Sequence, residues 1–173
     1  FAGQTKTATA GDDGKGIVKL DELKASSDGA ELKICDTVVK DVLVGEVWVC
    51  SGQSNMAWRM KSDKDTATEM PNAKFPTIRW QGGKDWAAIT PDNVQGVFAV
   101  AYYFAKTLQA ELKVPIGLIN SSWGGSPIEP WTVTDASKKQ GGGMYNAMIA
   151  PLQPFPIRGA IWYQGETNVI RKN

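Results

Sequence analysis

The sequence predicts an α/β fold built around a parallel sheet. Residues 42–49 form a nearly continuous apolar run, as expected of a strand buried on both faces. Residues 115–122 and 157–163 read as two further strands of the same sheet. A segment with helical spacing lies between the first two strands, and this alternation of strand and helix is typical of parallel sheets.

The composition is that of an ordinary globular protein with one domain, or one domain plus a fragment. The chain has 173 residues, of which 42% are hydrophobic and 21% charged, so it can bury a sizeable core. Its 19 basic and 18 acidic residues leave a formal charge of +1, which gives no electrostatic case for a nucleic-acid or anionic-membrane partner. No apolar window has the length of a transmembrane helix.

Residues 1–41 predict a β-rich segment of different character. Asp28-Gly29 is expected to form a turn, and residues 31–34 alternate polar and apolar side chains like a half-buried strand. One or two hairpins are too small to hold a core of their own. We therefore place a change of architecture near residue 41.

The remaining elements follow in order. Residues 61–93 are rich in Lys, Asp, Pro and Gly and predict a long loop region. Asp92-Asn93 offers an N-cap for an amphipathic helix that should end before Val114-Pro115. The apolar positions of that helix are Val97, Ala101, Phe104, Ala105, Leu108 and Leu112.

A polar, glycine-containing turn follows each predicted strand. We call these the serine turn (residues 51–55), the glycine turn (residues 122–126) and the glutamine turn (residues 164–168). Ligands of open α/β sheets bind at the carboxyl ends of the strands. The three turns are therefore expected to converge on one site.

Residue types in these turns allow acyl-transfer chemistry, and each also has a plainer interpretation. Ser54 is placed like a nucleophile at a sharp strand-to-helix turn, although the second glycine of a G-x-S-x-G elbow is missing and most turn serines only satisfy backbone groups. Gly124 or Gly125 could donate a backbone N–H to an oxyanion, or simply form a tight turn. Gln164 could donate its side-chain amide, or be a buried hydrogen-bonded amide.

Two carboxylates and several aromatic side chains leave other functions open. Glu129 and Glu166 are expected to be structural carboxylates that hold loops by hydrogen bonds, whereas a close pair could support glycosidase chemistry. A carbohydrate-binding module would need only the cleft and aromatic side chains such as Trp58, Trp123 and Trp131. Cys35 and Cys50 match no zinc or redox motif and are expected to be buried free thiols.

Three long motifs resemble the sialate O-acetylesterase family, a branch of the SGNH-type hydrolases that is also similar to acetylxylan esterases. They read VLVGEVWVCSGQSNMAW, YYFAKTLQAELKVPIGLINSSWGGSPIEPW and GAIWYQGETN, and the resemblance extends over about residues 14 to 170. It implies that residues 42–173 are the N-terminal part of a flavodoxin-like, three-layer α/β/α esterase domain. Residues 1–41 would then be a fragment of an accessory β-sandwich.

The resemblance also implies a function and a set of site residues. The expected activity is removal of O-acetyl groups from carbohydrates, with sialic acids as the expected substrates. An acetylxylan esterase or a catalytically inactive carbohydrate-binding relative is the alternative. Ser54 would be the nucleophile and donate its own N–H to the oxyanion, with Gly124, preferred over Gly125, and Gln164 as the other donors. No metal or other cofactor is implied. The side chains and backbone expected to contact the substrate are those of Gln53, Asn55, Trp123, Gly125, Glu129 and Glu166.

The chain departs from the family in one respect, because it contains no histidine. The family's histidine belongs to an Asp-x-x-His block downstream of the glutamine turn, and losing a triad member commonly costs several orders of magnitude in rate. We therefore expect a second polypeptide, or a missing C-terminal segment, to supply this block, with a cleavage near Lys172 as one origin. The substrates point to a secreted, periplasmic or lysosomal protein.

Overall fold

The computed structural model describes residues 1–83, 85–135 and 140–171. The chain divides into two compact units, Phe1–Gly45 and Glu46–Asn173. The expected nick near Lys172 lies outside the described residues.

The first unit contains an antiparallel hairpin of β1 (Ser26–Ile34) and β2 (Thr37–Val44). The turn predicted at Asp28-Gly29 is wrong, because both residues lie within β1, where the pairing register shifts around Ala30. The chain reverses instead after Ile34, at Cys35, which has a positive φ of 50°. A shift in register inside a strand and a turn use the same residue types, so the sequence pattern did not separate them. That this unit is part of an accessory β-sandwich stays a prediction.

The apolar run at residues 42–49 is divided between the two units. β2 ends at Val44, and the next strand begins at Glu46, with Gly45 between them. The prediction of a single strand here is wrong, because continuous hydrophobicity does not reveal where one strand ends and the next begins.

The second unit contains the sheet and its helices. Its elements in chain order are β3 (Glu46–Gly52), α1 (Thr66–Glu69), β4 (Phe75–Gln81), β5 (Trp86–Ile89), α2 (Ala99–Leu112), β6 (Ile116–Ser122), β7 (Val133–Asp135), β8 (Gln140–Gly141), β9 (Gly159–Tyr163) and α3 (Glu166–Arg171). Short 3₁₀ turns lie at Met60–Ser62, Met70–Asn72, Val94–Gly96, Glu129–Trp131 and Ala150–Leu152, and a π-helical turn at Tyr145–Ile149.

Five of these strands form a mixed sheet in the order β5-β4-β6-β3-β9. β4, β6, β3 and β9 run parallel to one another, and only β5 is antiparallel to its neighbour. The predicted α/β fold with a parallel sheet is confirmed. The predicted long loop at residues 61–93 is wrong in part, because it contains β4 and β5; their Pro, Arg and Gln residues weaken the apolar pattern of a strand.

Helix α2 covers one face of the sheet and forms the core with it. Ile78, Leu118 and Ala101 are fully buried in this cluster, and Trp48 packs edge-on against Phe104 at 4.9 Å between ring centroids. Burial of a Leu or Ile side chain contributes about 1.5–3 kcal/mol, so this layer supplies much of the stabilisation of the unit.

The start of α2 differs from the prediction. Asn93 precedes the 3₁₀ turn at Val94–Gly96 without capping it, since its Oδ1 accepts from the N–H of Thr90 at 2.9 Å. The chain is then extended at Val97 before α2 begins at Ala99. The helix ends at Leu112 with Lys113 in the left-handed conformation, just before Pro115 as predicted. Of the helices in the three described ranges, none is long and apolar enough to cross a membrane.

Candidate active site

The serine, glycine and glutamine turns lie together at one end of the sheet. Gly52, the last residue of β3, pairs with Ser122 of β6 on one side and with Tyr163 of β9 on the other. The ladder continues into the turns, since the N–H of Trp123 donates to the Gly52 carbonyl at 3.0 Å and the N–H of Gln53 donates to the Tyr163 carbonyl at 2.9 Å. The predicted convergence of the turns is confirmed, and it follows from the shared parallel register.

Gly52 allows the serine turn to leave the strand this close to β9. Its φ is +142°, a conformation open to glycine, and a Cβ there would lie 2.0 Å from the carbonyl oxygen of Tyr163. A side chain at this position would separate β3 from β9. The glycine in front of the candidate nucleophile is therefore required by backbone packing.

Ser54 lies exposed at the tip of the serine turn, beside the glycine turn. A Cβ built on Gly124 would lie 3.8 Å from the Cβ of Ser54, whereas one built on Gly125 would meet nothing within 4 Å. Gly125 has a positive φ of 72° and so provides the reversal of the turn. Of the two glycines, Gly124 is the one that adjoins the candidate nucleophile.

Gln53 connects the serine turn to the glutamine turn. Its side chain is only 3% exposed, and its Oε1 accepts from the backbone N–H groups of Gly165 and Thr167 at 3.5 and 3.4 Å and from Gln164 Nε2 at 3.4 Å. Gln53 was expected to contact the substrate; in this position it offers little surface to a ligand and instead holds the two turns together.

Asn168 connects the glutamine turn to the glycine turn and the segment after it, and the sequence analysis did not single it out. Its Oδ1 accepts from Gln164 Nε2 at 2.7 Å and from the N–H of Ile128 at 2.9 Å. Its Nδ2 donates to both carboxylate oxygens of Glu129, at 3.1 and 3.3 Å. The available signal was the spacing of Asn168 four residues after Gln164, which places both side chains on one face of a helical turn.

Asn55 and Glu166 make a second connection between the serine and glutamine turns. Asn55 Nδ2 donates to Glu166 Oε1, while Glu166 Oε2 is buried without a hydrogen-bond partner among the described residues. Glu166 and Glu129 thus each accept from an asparagine of another segment. This is the structural role considered in the sequence analysis, and it gives no support to glycosidase chemistry.

The three aromatic candidates differ in exposure. Trp123 and Trp58 are 57% and 51% exposed, so both offer ring surface near the turns. Trp131 is only 7% exposed, and its Nε1 donates to Ser126 Oγ at 2.9 Å, which in turn donates to the Trp123 carbonyl at 2.8 Å. The expectation that Trp131 lines the cleft is wrong, because it packs in the interior, where it braces the glycine turn through the buried Ser126.

The two cysteines lie in different surroundings, and the buried one does not compete with Ser54 as a nucleophile. Cys50 lies in the core, where burial raises the pKa of its thiol to about 12, so it stays protonated at neutral pH. Cys35 is exposed on the hairpin of the first unit, contrary to the expectation that both thiols are buried. Within the described ranges, no group of three or more His, Cys, Asp or Glu side chains is placed to hold a metal ion.

The arrangement fits acyl transfer in part. It combines an exposed hydroxyl with a neighbouring glycine backbone and a side-chain amide, which are the parts of a nucleophile and its oxyanion hole. It lacks an imidazole to accept the proton of Ser54, since the sequence has no histidine.

The chain is similar to proteins that act on acetylated carbohydrates. Residues 44–173 match the family described as carbohydrate esterase, sialic acid-specific acetylesterase. The human sialate O-acetylesterase is 36% identical over 171 residues, and the rat sialate O-acetylesterase is 30% identical over 197 residues. These alignments cover 76% and 75% of this chain but 33% and 36% of the relatives, so the chain spans about a third of their length.

A solved structure shows the same similarity. The crystal structure of a carbohydrate acetylesterase from Xanthomonas citri superposes with a TM-score of 0.77 at 39% identity. The match covers 87% of this chain and 40% of that protein.

Proposed function

The chain belongs to the carbohydrate esterase family of sialic acid-specific acetylesterases, and from this premise we propose that it forms the nucleophile-bearing part of an esterase that removes O-acetyl groups from carbohydrates. Ser54 attacks the acetyl carbonyl, the sugar hydroxyl leaves, and water then releases acetate from the serine. The observation that supports this most is the position of Ser54, exposed beyond β3 and beside Gly124.

Three donors stabilise the oxyanion in this proposal. They are the backbone N–H groups of Ser54 and Gly124 and the side-chain amide of Gln164. The amide has two N–H bonds, and only one of its contacts is short, the 2.7 Å bond to Asn168; those to Gln53 and Ser126 are 3.4 Å long. Contacts of that length are weak, so one N–H can turn to a developing negative charge.

The proton of Ser54 requires a base from outside this chain. We propose that a second polypeptide, or a further segment, carries the Asp-x-x-His block, and we call the complete protein the assembled esterase. The exposed apolar flank beside the site supports this assignment: Trp162 of β9 is 43% exposed, and Val169 and Ile170 of α3 are 77% and 80% exposed. Large apolar side chains this exposed, on an edge strand and on the helix that follows it, are normally covered by protein.

We propose the substrates from the relatives' names and from the resemblance of the three motifs, and the localisation from the substrates. O-acetylated sialic acids are the proposed substrates, with acetylated plant polysaccharides as the alternative class. Such sugars are met outside cells, in the periplasm or in lysosomes, where we place the protein. Asn55, Trp123, Gly125, Glu129 and Glu166 are the proposed substrate contacts that border the exposed turn.

Replacing Ser54 with alanine in the assembled esterase tests the proposal. Acetate release from an O-acetylated sugar should fall by about 10³-fold or more, because a nucleophile acts as a unit with its base. The matched control is Ser27→Ala, an exposed serine of the first unit, which should keep wild-type activity. A fluorophosphonate probe gives a second readout, and peptide mass spectrometry should find it on Ser54.

Retained acetate release by the Ser54→Ala variant would refute the assignment of the nucleophile. Labelling of another serine in the wild-type protein would do the same. Loss of both acetate release and labelling, with unchanged melting temperature, is the expected result.

A further inference from the structure

An open groove of about 370 Å³ adjoins the serine turn and is not used by the acyl-transfer step. It lies among the serine turn, the start of α2 and the end of β9. The residues that line it include Asn55, Trp58, Asp63, Tyr103 and Tyr163. Because Asn55 follows Ser54 in the chain, the groove begins beside the proposed nucleophile.

Two aromatic rings give the groove an apolar surface that is open to solvent. Trp58 is 51% exposed and Tyr163 46% exposed. Their backbones are held in place, since the Trp58 carbonyl accepts from the N–H of Ala99 at 2.7 Å and the Tyr163 carbonyl from that of Gln53 at 2.9 Å. Rings on a fixed backbone bind a flat ligand face at low entropic cost.

Asp63 supplies a hydrogen-bond acceptor to the groove. Its Oδ1 accepts from the hydroxyl of Tyr103 and from the N–H of Asp65, both at 3.0 Å. Within the described ranges, no donor contacts its Oδ2, which leaves this oxygen for a ligand. Burial, followed by the hydrogen bond to Asp63, raises the pKa of Tyr103 above its ordinary value, so this phenol remains a neutral donor.

The charge of the groove selects against anions. Asp63 is the acidic side chain of the groove, and no lysine or arginine is among the described side chains that line it. A carboxylate in a lining that contains no cationic side chain disfavours an anionic ligand and favours hydroxyl donors. The groove volume is near the lower end of small-molecule pockets, which allows for one or two sugar rings.

We propose that this groove binds the uncharged pyranose that adjoins the O-acetylated residue of an oligosaccharide. The C–H face of that ring stacks on Trp58 and Tyr163, and its hydroxyls donate to Asp63 Oδ2 and accept from Asn55. The inference rests on the proposed esterase function, which places the acetylated residue at Ser54. An acetylated sialic acid would occupy the serine turn, and its neutral neighbour the groove.

The test compares two substrates of the assembled esterase that carry the same acetyl ester. One is an O-acetylated monosaccharide methyl glycoside, and the other is a disaccharide in which a neutral hexose replaces the methyl group. The wild-type kcat/KM should be about 10-fold higher for the disaccharide, and Trp58→Ala should reduce this ratio to near 1. Trp58→Phe, which keeps an aromatic face, should retain most of the ratio.

The matched control is Trp86→Ala. Trp86 is 38% exposed, and its ring lies near Gly117, at the opposite end of the parallel strands. This variant should keep the wild-type ratio.

Three results would overturn the groove assignment. They are a wild-type ratio near 1, an unchanged ratio in Trp58→Ala, and equal rates for a second disaccharide in which a hexuronic acid replaces the neutral hexose. Failure of the esterase proposal is distinguishable, because Ser54→Ala would then retain acetate release. In that case, calorimetry of the Ser54→Ala variant with the deacetylated disaccharide still tests the groove, since Trp58→Ala should weaken this binding about 10-fold.

Discussion

Strands β6 and β9 flank β3 in the same orientation, but their surroundings differ. Five of the seven residues of β6 are buried, whereas none of the five residues of β9 is. Both strands nevertheless pair with β3 in register up to Gly52. Backbone pairing brings the turns together on both flanks, while side-chain burial stabilises only the β6 flank.

The difference shows that the interactions that position the site, which are backbone pairs, are not the same as those that stabilise the unit, which are buried side chains. The glycine turn follows the buried strand, and the glutamine turn follows the exposed one. We propose that the segment carrying the Asp-x-x-His block covers the β9 flank. The flank with the exposed strand is thus the one to which we assign the proposed base of Ser54.

The largest expected effect comes from a substitution that breaks the pairing between β3 and β9. In Gly52→Ala, the ideal position of the new Cβ lies only 2.0 Å from the carbonyl oxygen of Tyr163. The φ of +142° at this position is also unsuited to an L-residue. We expect the free energy of unfolding to fall by about 4 kcal/mol, because backbone has to move. Urea denaturation measures this, with Gly83→Ala, which meets nothing within 4 Å, as the control. An unchanged midpoint for Gly52→Ala would contradict the described pairing.

A smaller effect sharpens the contrast between the two flanks. Leu118→Ala on β6 removes a fully buried side chain, and we expect it to lower the free energy of unfolding by about 3 kcal/mol. Ile170→Ala on the β9 flank removes one that is 80% exposed, and the loss should be below about 0.5 kcal/mol in this chain. Equal losses in chemical denaturation would show that the flanks do not differ as described.

An effect smaller than that of Leu118→Ala is expected for an ion pair on the α2 side. The carboxylate of Glu69 accepts from Lys106 at 2.6 and 2.8 Å and from the hydroxyl of Tyr102 at 2.8 Å. These hydrogen bonds, chiefly the one from Lys106, lower the pKa of Glu69 from its ordinary value of 4.5. Because the folded pKa lies below the unfolded one, this stabilisation is present above the unfolded value and is lost as the pH falls through the folded value. Glu69→Gln should therefore cost up to about 1 kcal/mol at pH 7, since Lys106 is partly exposed.

Denaturation at a series of pH values checks this expectation. The difference between wild type and Glu69→Gln should shrink as the pH falls below 4.5. Glu111→Gln, at an exposed position of α2, is the control and should show no such trend. A difference that stays constant with pH would mean that the ionised carboxylate is not its source.

Much of the fold could be predicted from local patterns. β6 and β9 coincide with apolar runs, and α2 has the expected helical spacing. β4 and β5 were missed because their strand character comes from pairing with neighbours that are distant in sequence. The cap of α2 was misplaced because Asn93 hydrogen-bonds locally in more than one kind of turn.

The sequence by itself determined the family, the parallel α/β sheet and the serine turn, because long motifs and apolar periodicity are local properties of the chain. Tertiary structure alone decided which side chains of the site region are buried and which line an open groove. Gln53 and Trp131 turned out to brace the turns, Asn168 to connect two of them, and Trp58 and Asp63 to line a groove. The reason is physical: the burial and the hydrogen-bond partners of a side chain depend on elements that are distant in sequence and meet only after folding. The type of a residue and its spacing from its neighbours do not reveal them.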